Sequence, residues 1–112
     1  MARTSARLKP ALDVAPVFAA LGDETRLGLV ARLAAGDRMS ITRLTAGTEV
    51  TRQAVTRHLE VLEDAGLVRG TRIGRESLWE LEPKRIVLAR RRLDEISQWW
   101  DVKLAALKAK VE

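Results

Sequence analysis

The chain has 112 residues, 46% of them hydrophobic and 31% charged, the balance of one ordinary globular domain, too short for two independent cores and too apolar for a disordered segment. Twenty Lys and Arg against fifteen Asp and Glu leave a net charge of +5, a bias towards an anionic partner, most often nucleic acid. With no cysteine and a single histidine, His58, the composition excludes disulfides, thiolate metal sites, cysteine nucleophiles and a two-histidine metal site within one chain, and no cofactor is expected.

Residues 1–11 read as a basic N-terminal arm carrying Arg3, Arg7 and Lys9, expected to fray, ahead of one domain over 12–112. The arm has no apolar segment behind it, so a secretory signal is not expected. No apolar run approaches the roughly 20 residues that span a bilayer, and a cytoplasmic protein with no membrane partner is the expectation. From Leu12 to Leu21 the residues Val14, Val17, Phe18 and Leu21 recur at helical spacing, with Asp13 as the expected cap and Pro16 in the first turn. Asp23 then caps a second helix, whose expected apolar stripe is Leu27, Val30, Ala31, Leu33 and Ala34, closed by Gly36 at the C′ position.

A short helix follows through Leu44 and Ala46, with Ser40 or Thr42 as its cap and Gly47 at its end. A further helix over 51–65, opened by Thr51, carries Val55, Leu59, Leu62 and Ala65 at steps of four, three and three, and Gly66 stops it. Leu67 to Ile73 and Ser77 to Leu81 read as two strands joined by Gly74-Arg75-Glu76. After Pro83, the residues Ile86, Ala89, Leu93, Ile96, Trp100, Leu104, Leu107 and Val111 make a near-heptad seam on a helix of roughly 40 Å, with a break near Ala89 as an open alternative. The fold class is therefore mainly α with a small β-hairpin.

The informative stretch runs from Met39 to Leu81, where two helices and a tight turn form a helix-turn-helix candidate. If the second helix enters a major groove, one stripe must anchor it and the other must offer hydrogen-bonding side chains near its N-terminal end. Val55, Leu59 and Leu62 supply the first; Thr51, Arg52, Gln53, Thr56 and Arg57 supply the second. No acidic residue occurs from Thr51 to Leu59, whereas Glu60, Glu63 and Asp64 crowd the later turns. His58 on the same helix has two readings, a nucleic-acid contact or helix packing. The hairpin adds Arg69, Arg72 and Arg75, with Arg75 at the tip the best placed for a narrow minor groove. Arg26, Arg32, Arg38 and Arg43 are candidates for phosphate contacts, Arg43 foremost.

The run TRQAVTRHLEVLEDAGLV from Thr51 to Val68, followed by Arg72-Ile73-Gly74-Arg75, resembles the ArsR-type winged helix-turn-helix repressors of bacteria, as does FAALGDETRLGLVARL from Phe18 to Leu33. The resemblance covers roughly residues 12 to 112. It implies a homodimeric repressor that binds an inverted repeat in double-stranded DNA through the helix over 51–65 and the wing over 67–81. The first and last helices would form the dimer interface, through Val14, Val17, Phe18 and Leu21 with Leu93, Ile96, Trp100, Leu104 and Leu107. Where metal-sensing members carry paired cysteines, this chain has Ile41-Thr42-Arg43-Leu44; its last helix has Asp94, Glu95 and Asp101 but no histidine. It looks more like the cysteine-free, SdpR-like members, whose small-molecule inducers, where they exist, are often unknown. Two rivals remain: a winged helix that docks an acidic protein, and an enzyme, for which no nucleophile–base pair is at hand.

Overall fold

The computed structural model describes residues 12–111, so the basic arm expected over 1–11 lies outside the described residues. The elements follow as helix α1 (Ala15–Leu21), helix α2 (Glu24–Ala35), strand β1 (Met39–Ser40), helix α3 (Ile41–Ala46), helix α4 (Arg52–Asp64), strands β2 (Val68–Ile73) and β3 (Glu76–Leu81), and helix α5 (Pro83–Val111).

Asp13 does not cap α1. Val14 precedes the helix, offers its amides no side-chain acceptor, and leaves Pro16 to remove one donor from the first turn. Asp13 is instead drawn to α5, where its Oδ2 lies 3.4 Å from Nη2 of Arg92. Asp23 does cap α2, with Oδ2 accepting from the Arg26 amide at 3.0 Å. Of the stripe expected on α2, Leu33 is buried and Val30 packs against the core, but Leu27, Ala31 and Ala34 face solvent and Leu29 is buried instead. Apolar residues lie on both sides of this helix, and a face with Leu29, Val30 and Leu33 inside buries larger side chains than one that spends two positions on alanine. Gly36 ends α2 in extended backbone, with φ −111°, and not in the left-handed conformation that a C′ glycine would adopt.

The sheet is antiparallel in the order β1-β3-β2. Strand β1 was not legible, because two residues are too few to show alternation; Met39 and Ser40 pair with Trp79 and Leu78. In the hairpin, Ile73 stands opposite Glu76, so the connection is the two residues Gly74-Arg75, one shorter than expected. Gly74 has φ +63° and the following Arg75 does not have positive φ, the pattern of a type II′ turn whose twist suits the flanking strands. Across the hairpin, Trp79 lies on Gly70, where a Cβ would stand 3.0 Å from the indole ring.

One core joins all the helices and the sheet, centred on Leu29, Leu44, Leu59 and Leu62. Val14 and Val17, expected at a dimer interface, are fully inside it: their three-residue spacing turns both inward against α2, α4 and α5, and they keep no surface for a second chain. Helix α5 runs unbroken for 29 residues, about 43 Å at 1.5 Å per residue. Ala89, where a break was an alternative, is its one buried residue and marks where the helix lies on the core.

Helix α4 ends in a Schellman motif. The amide of Gly66 donates to the Glu63 carbonyl and that of Leu67 to the Leu62 carbonyl, both at 2.9 Å, and Gly66 takes φ +79°. A Cβ at Gly66 would also stand 2.6 Å from Cγ of Arg85, whereas one at Gly28, inside α2, would meet nothing within 4 Å. Gly66→Ala is therefore expected to lower stability by about 1–2 kcal/mol, and Gly28→Ala to raise it by roughly 0.5–1 kcal/mol, as read from urea denaturation midpoints.

Candidate nucleic-acid interface

Two caps and one clamp hold the helix-turn-helix. Ser40, and not Thr42, caps α3, its Oγ accepting from the Arg43 amide at 3.1 Å, and Thr51 caps α4, its Oγ1 accepting from the Ala54 amide at 3.1 Å. Each such bond is worth about 1 kcal/mol. Between the helices, Arg32 reaches across from α2: Nη1 donates to the Leu44 carbonyl at 2.7 Å and Nη2 to the Arg43 carbonyl at 3.1 Å. These are carbonyls that the short α3 cannot satisfy internally. A Cβ at Gly47 would collide with the Arg32 guanidinium, which is why the turn is built on glycine. Arg32, a candidate phosphate ligand on sequence, is thus a structural clamp.

Helix α4 is split lengthwise. Val55, Leu59 and Leu62 have no exposed surface, while Gln53 and Arg57 are exposed on the opposite side and Arg52 is exposed in the first turn. Nη1 of Arg52 lies 3.4 Å from Oγ1 of Thr42, which ties the first turn of α4 back to α3. The half-buried Thr56 donates its hydroxyl to the Arg52 carbonyl at 3.0 Å, leaving its oxygen lone pairs and methyl group outward. Thr51 is exposed, but its side chain serves first as the cap. Thr51, Gln53, Ala54, Arg57 and His58 border an open hollow of about 440 Å³. Arg43 is exposed on α3.

The wing is fixed to α4 by a contact with no local signal along the chain: Oε2 of Glu63 accepts from the amide of Gly70 at 3.0 Å. Glu63 reads as one of three solvated acids at the far end of the helix, yet it sets the angle at which the hairpin leaves. Arg72 and Arg75 are exposed. Arg69 is not available in the same way: Nη2 lies 2.8 Å from Glu80 Oε1 and Nη1 lies 3.3 Å from Glu82 Oε2, and this pairing holds its guanidinium even more firmly protonated than usual. Arg26 is likewise engaged, with Nη1 3.3 Å from Nδ1 of His58.

Of the residues expected at a dimer interface, Phe18, Leu93, Trp100, Leu104 and Leu107 are exposed, and Leu21 and Ile96 are half-buried. Trp100 is 64% exposed, and every described side chain from 100 onwards faces solvent. Arg92, in a run of three arginines that reads as a solvated face, pairs with Asp13 and with Glu95, at 3.4 Å and 3.2 Å. Among the described residues, no group of three or more His, Asp or Glu side chains is placed to hold a metal ion, and no helix is long and apolar enough to cross a membrane.

Residues 21–71 match the family model of a helix-turn-helix domain. The chain is 40% identical over 65 residues to YuzN of Bacillus subtilis, an uncharacterized HTH-type transcriptional regulator, covering 53% of this chain and 71% of that one. An ArsR-like transcriptional regulator from Rhodococcus sp. RHA1 superposes with a TM-score of 0.74 at 35% identity, over 91% of this chain and 95% of that one. The homodimeric winged helix-turn-helix DNA-binding domain of Mb0332 from Mycobacterium bovis shares the fold, with a TM-score of 0.60 at 22% identity, over 93% of this chain and 90% of that one. Matched in its helix-turn-helix, its wing and its long last helix, the chain belongs to the ArsR-like family of winged helix-turn-helix transcriptional regulators, which bind DNA and are not enzymes.

Proposed function

We propose that the chain is a homodimeric repressor, acting in the cytoplasm, that binds an inverted-repeat operator with α4 in the major groove and the wing on the flanking DNA. The observation that carries this reading is the exposed, cation-bearing first half of α4, where Gln53 and Arg57 stand outward with no described element covering them. Arg pairs with guanine O6 and N7 and Gln with adenine N6 and N7, so these two side chains read bases. Thr51, Arg52, Thr56, Arg43, Arg72 and Arg75 take phosphates or neighbouring base edges. The absence of cysteine from the chain, and with it of a thiolate site at Ile41-Thr42-Arg43-Leu44, supports placement in the cysteine-free, SdpR-like branch.

The dimer is supported by the distal half of α5, which carries Trp100, Leu104 and Leu107 along one face, each more than half exposed, an apolar stripe of the kind that marks an interaction surface. Phe18 of α1, 40% exposed, adds to it. The homodimeric state of Mb0332 points the same way. A twofold axis along this surface places two copies of α4 about 34 Å apart, one turn of DNA. Occupying an operator so bound excludes polymerase, and residues 12–112 act as one DNA-binding and dimerisation domain.

Selection from random duplexes is expected to return an inverted repeat with that half-site spacing. The double variant Gln53→Ala, Arg57→Ala should weaken binding to the selected duplex by about a hundredfold and flatten its sequence preference. No retardation of any duplex near 0.1 M salt would instead favour the acidic-protein partner.

Arg75→Ala should reduce the slope of log affinity against log salt by about one, while Arg69→Ala leaves it unchanged because Glu80 and Glu82 already neutralise that guanidinium. Sedimentation should show a dimer that Leu104→Glu converts to monomer with loss of operator binding; a Leu104→Glu chain that stays dimeric would place the interface elsewhere.

A further inference from the structure

We propose that Arg26 is a positioning residue for DNA binding: it fixes the neutral imidazole of His58 as the Nε2–H tautomer, and Nε2–H then donates to a backbone phosphate oxygen at the rim of the groove. This role presupposes that α4 reads DNA, and it adds a residue of α2 to the binding machinery.

For a neutral imidazole, one arrangement of protons satisfies the contact with Arg26. Nη1 of Arg26 lies 3.3 Å from Nδ1 of His58. A guanidinium only donates, so Nδ1 must be the bare, accepting nitrogen, and the ring proton sits on Nε2. The other group near Nδ1 is the carboxylate of Asp23, with Oδ2 4.0 Å away, outside hydrogen-bond reach. That carboxylate is already engaged as the α2 cap: the Arg26 amide donates to it and holds it below the ordinary aspartate range.

Arg26 is itself fixed. Its Nε donates to the Ala20 carbonyl at 2.7 Å, at the end of α1, so its guanidinium cannot swing out to a phosphate of its own without abandoning two partners. Through this one side chain the α1–α2 corner grips the imidazole on α4. His58 sits three residues after Val55, hence about 60° from the buried stripe and about 100° from Arg57. It is 23% exposed, and it borders the same hollow as Gln53 and Arg57. A residue at that border meets the wall of a groove, where the acceptors are phosphate oxygens, and not its floor.

Two measurements on the full chain test this. Long-range ¹H–¹⁵N correlation spectra of histidine-labelled protein at about pH 8, above the ordinary histidine pKa, should show the Nε2–H tautomer, and Arg26→Met should mix the two. Binding to the selected duplex and to a scrambled one should separate two isosteres that leave Arg26 in place. His58→Gln sets an amide donor where Nε2–H stands and should retain most of the affinity. His58→Asn sets it at Nδ1 and should weaken both duplexes about tenfold. A dominant Nδ1–H tautomer, or equal affinities for the Gln and Asn variants, would overturn the role of Arg26. Weakening confined to the selected duplex would show a base contact and overturn the phosphate assignment. Failure of the unmutated chain to bind any duplex would overturn the reading of α4 itself, whatever the tautomer.

Discussion

Helix α4 is held by three aliphatic side chains, Val55, Leu59 and Leu62, none of which retains exposed surface. Burying such residues is worth about 1.5–3 kcal/mol each, so the stripe contributes on the scale of the whole net stability of a small domain, about 5–15 kcal/mol. The helix cannot detach without unfolding the protein. Its outer face is therefore presented as part of a rigid body, and under the function proposed above Gln53 and Arg57 would meet a duplex from a fixed backbone, losing only their own rotamer freedom on binding.

Everything adjoining α4 serves to fix its orientation. At its start, Thr51 caps it and the Arg32 clamp holds the preceding turn closed by satisfying carbonyls of α3. At its end, the Schellman motif at Gly66 turns the chain straight into β2, and Glu63 ties the Gly70 amide back to the helix. Along its flank, Arg26 grips His58. Arginine does several separate jobs in this small protein, and a count of positive charges overstates the surface left for phosphate. Arg26, Arg32, Arg69 and Arg92 are each held by a protein partner, whereas Arg43, Arg57, Arg72 and Arg75 lie exposed.

Long α5 answers a different need. Its first half lies on the core at Ala89, and its second half leaves the domain with an apolar seam that no described element covers. A helix of that length and composition has no reason to project alone, because isolated helices gain most of their stability from packing an apolar face. The seam and α4 thus sit on separate parts of one rigid unit.

The sequence by itself determined the elements whose signal is local. The caps at Asp23 and Thr51, the glycine stop at Gly66, the stripe of α4, the clearing of acids from its first half and the wing all follow from spacing and side-chain chemistry within a dozen residues. The tertiary structure decided what depends on neighbours remote in the chain. It chose Leu29 over Leu27 and Ala31 for the inner face of α2, took Asp13 from its expected cap to Arg92, drew Val14 and Val17 into the core, and added β1 beside β3. It also sorted equivalent arginines into clamps and free cations. A cation's role is set by which carbonyl or carboxylate folding brings within about 3 Å of it, and no periodicity along the chain encodes that.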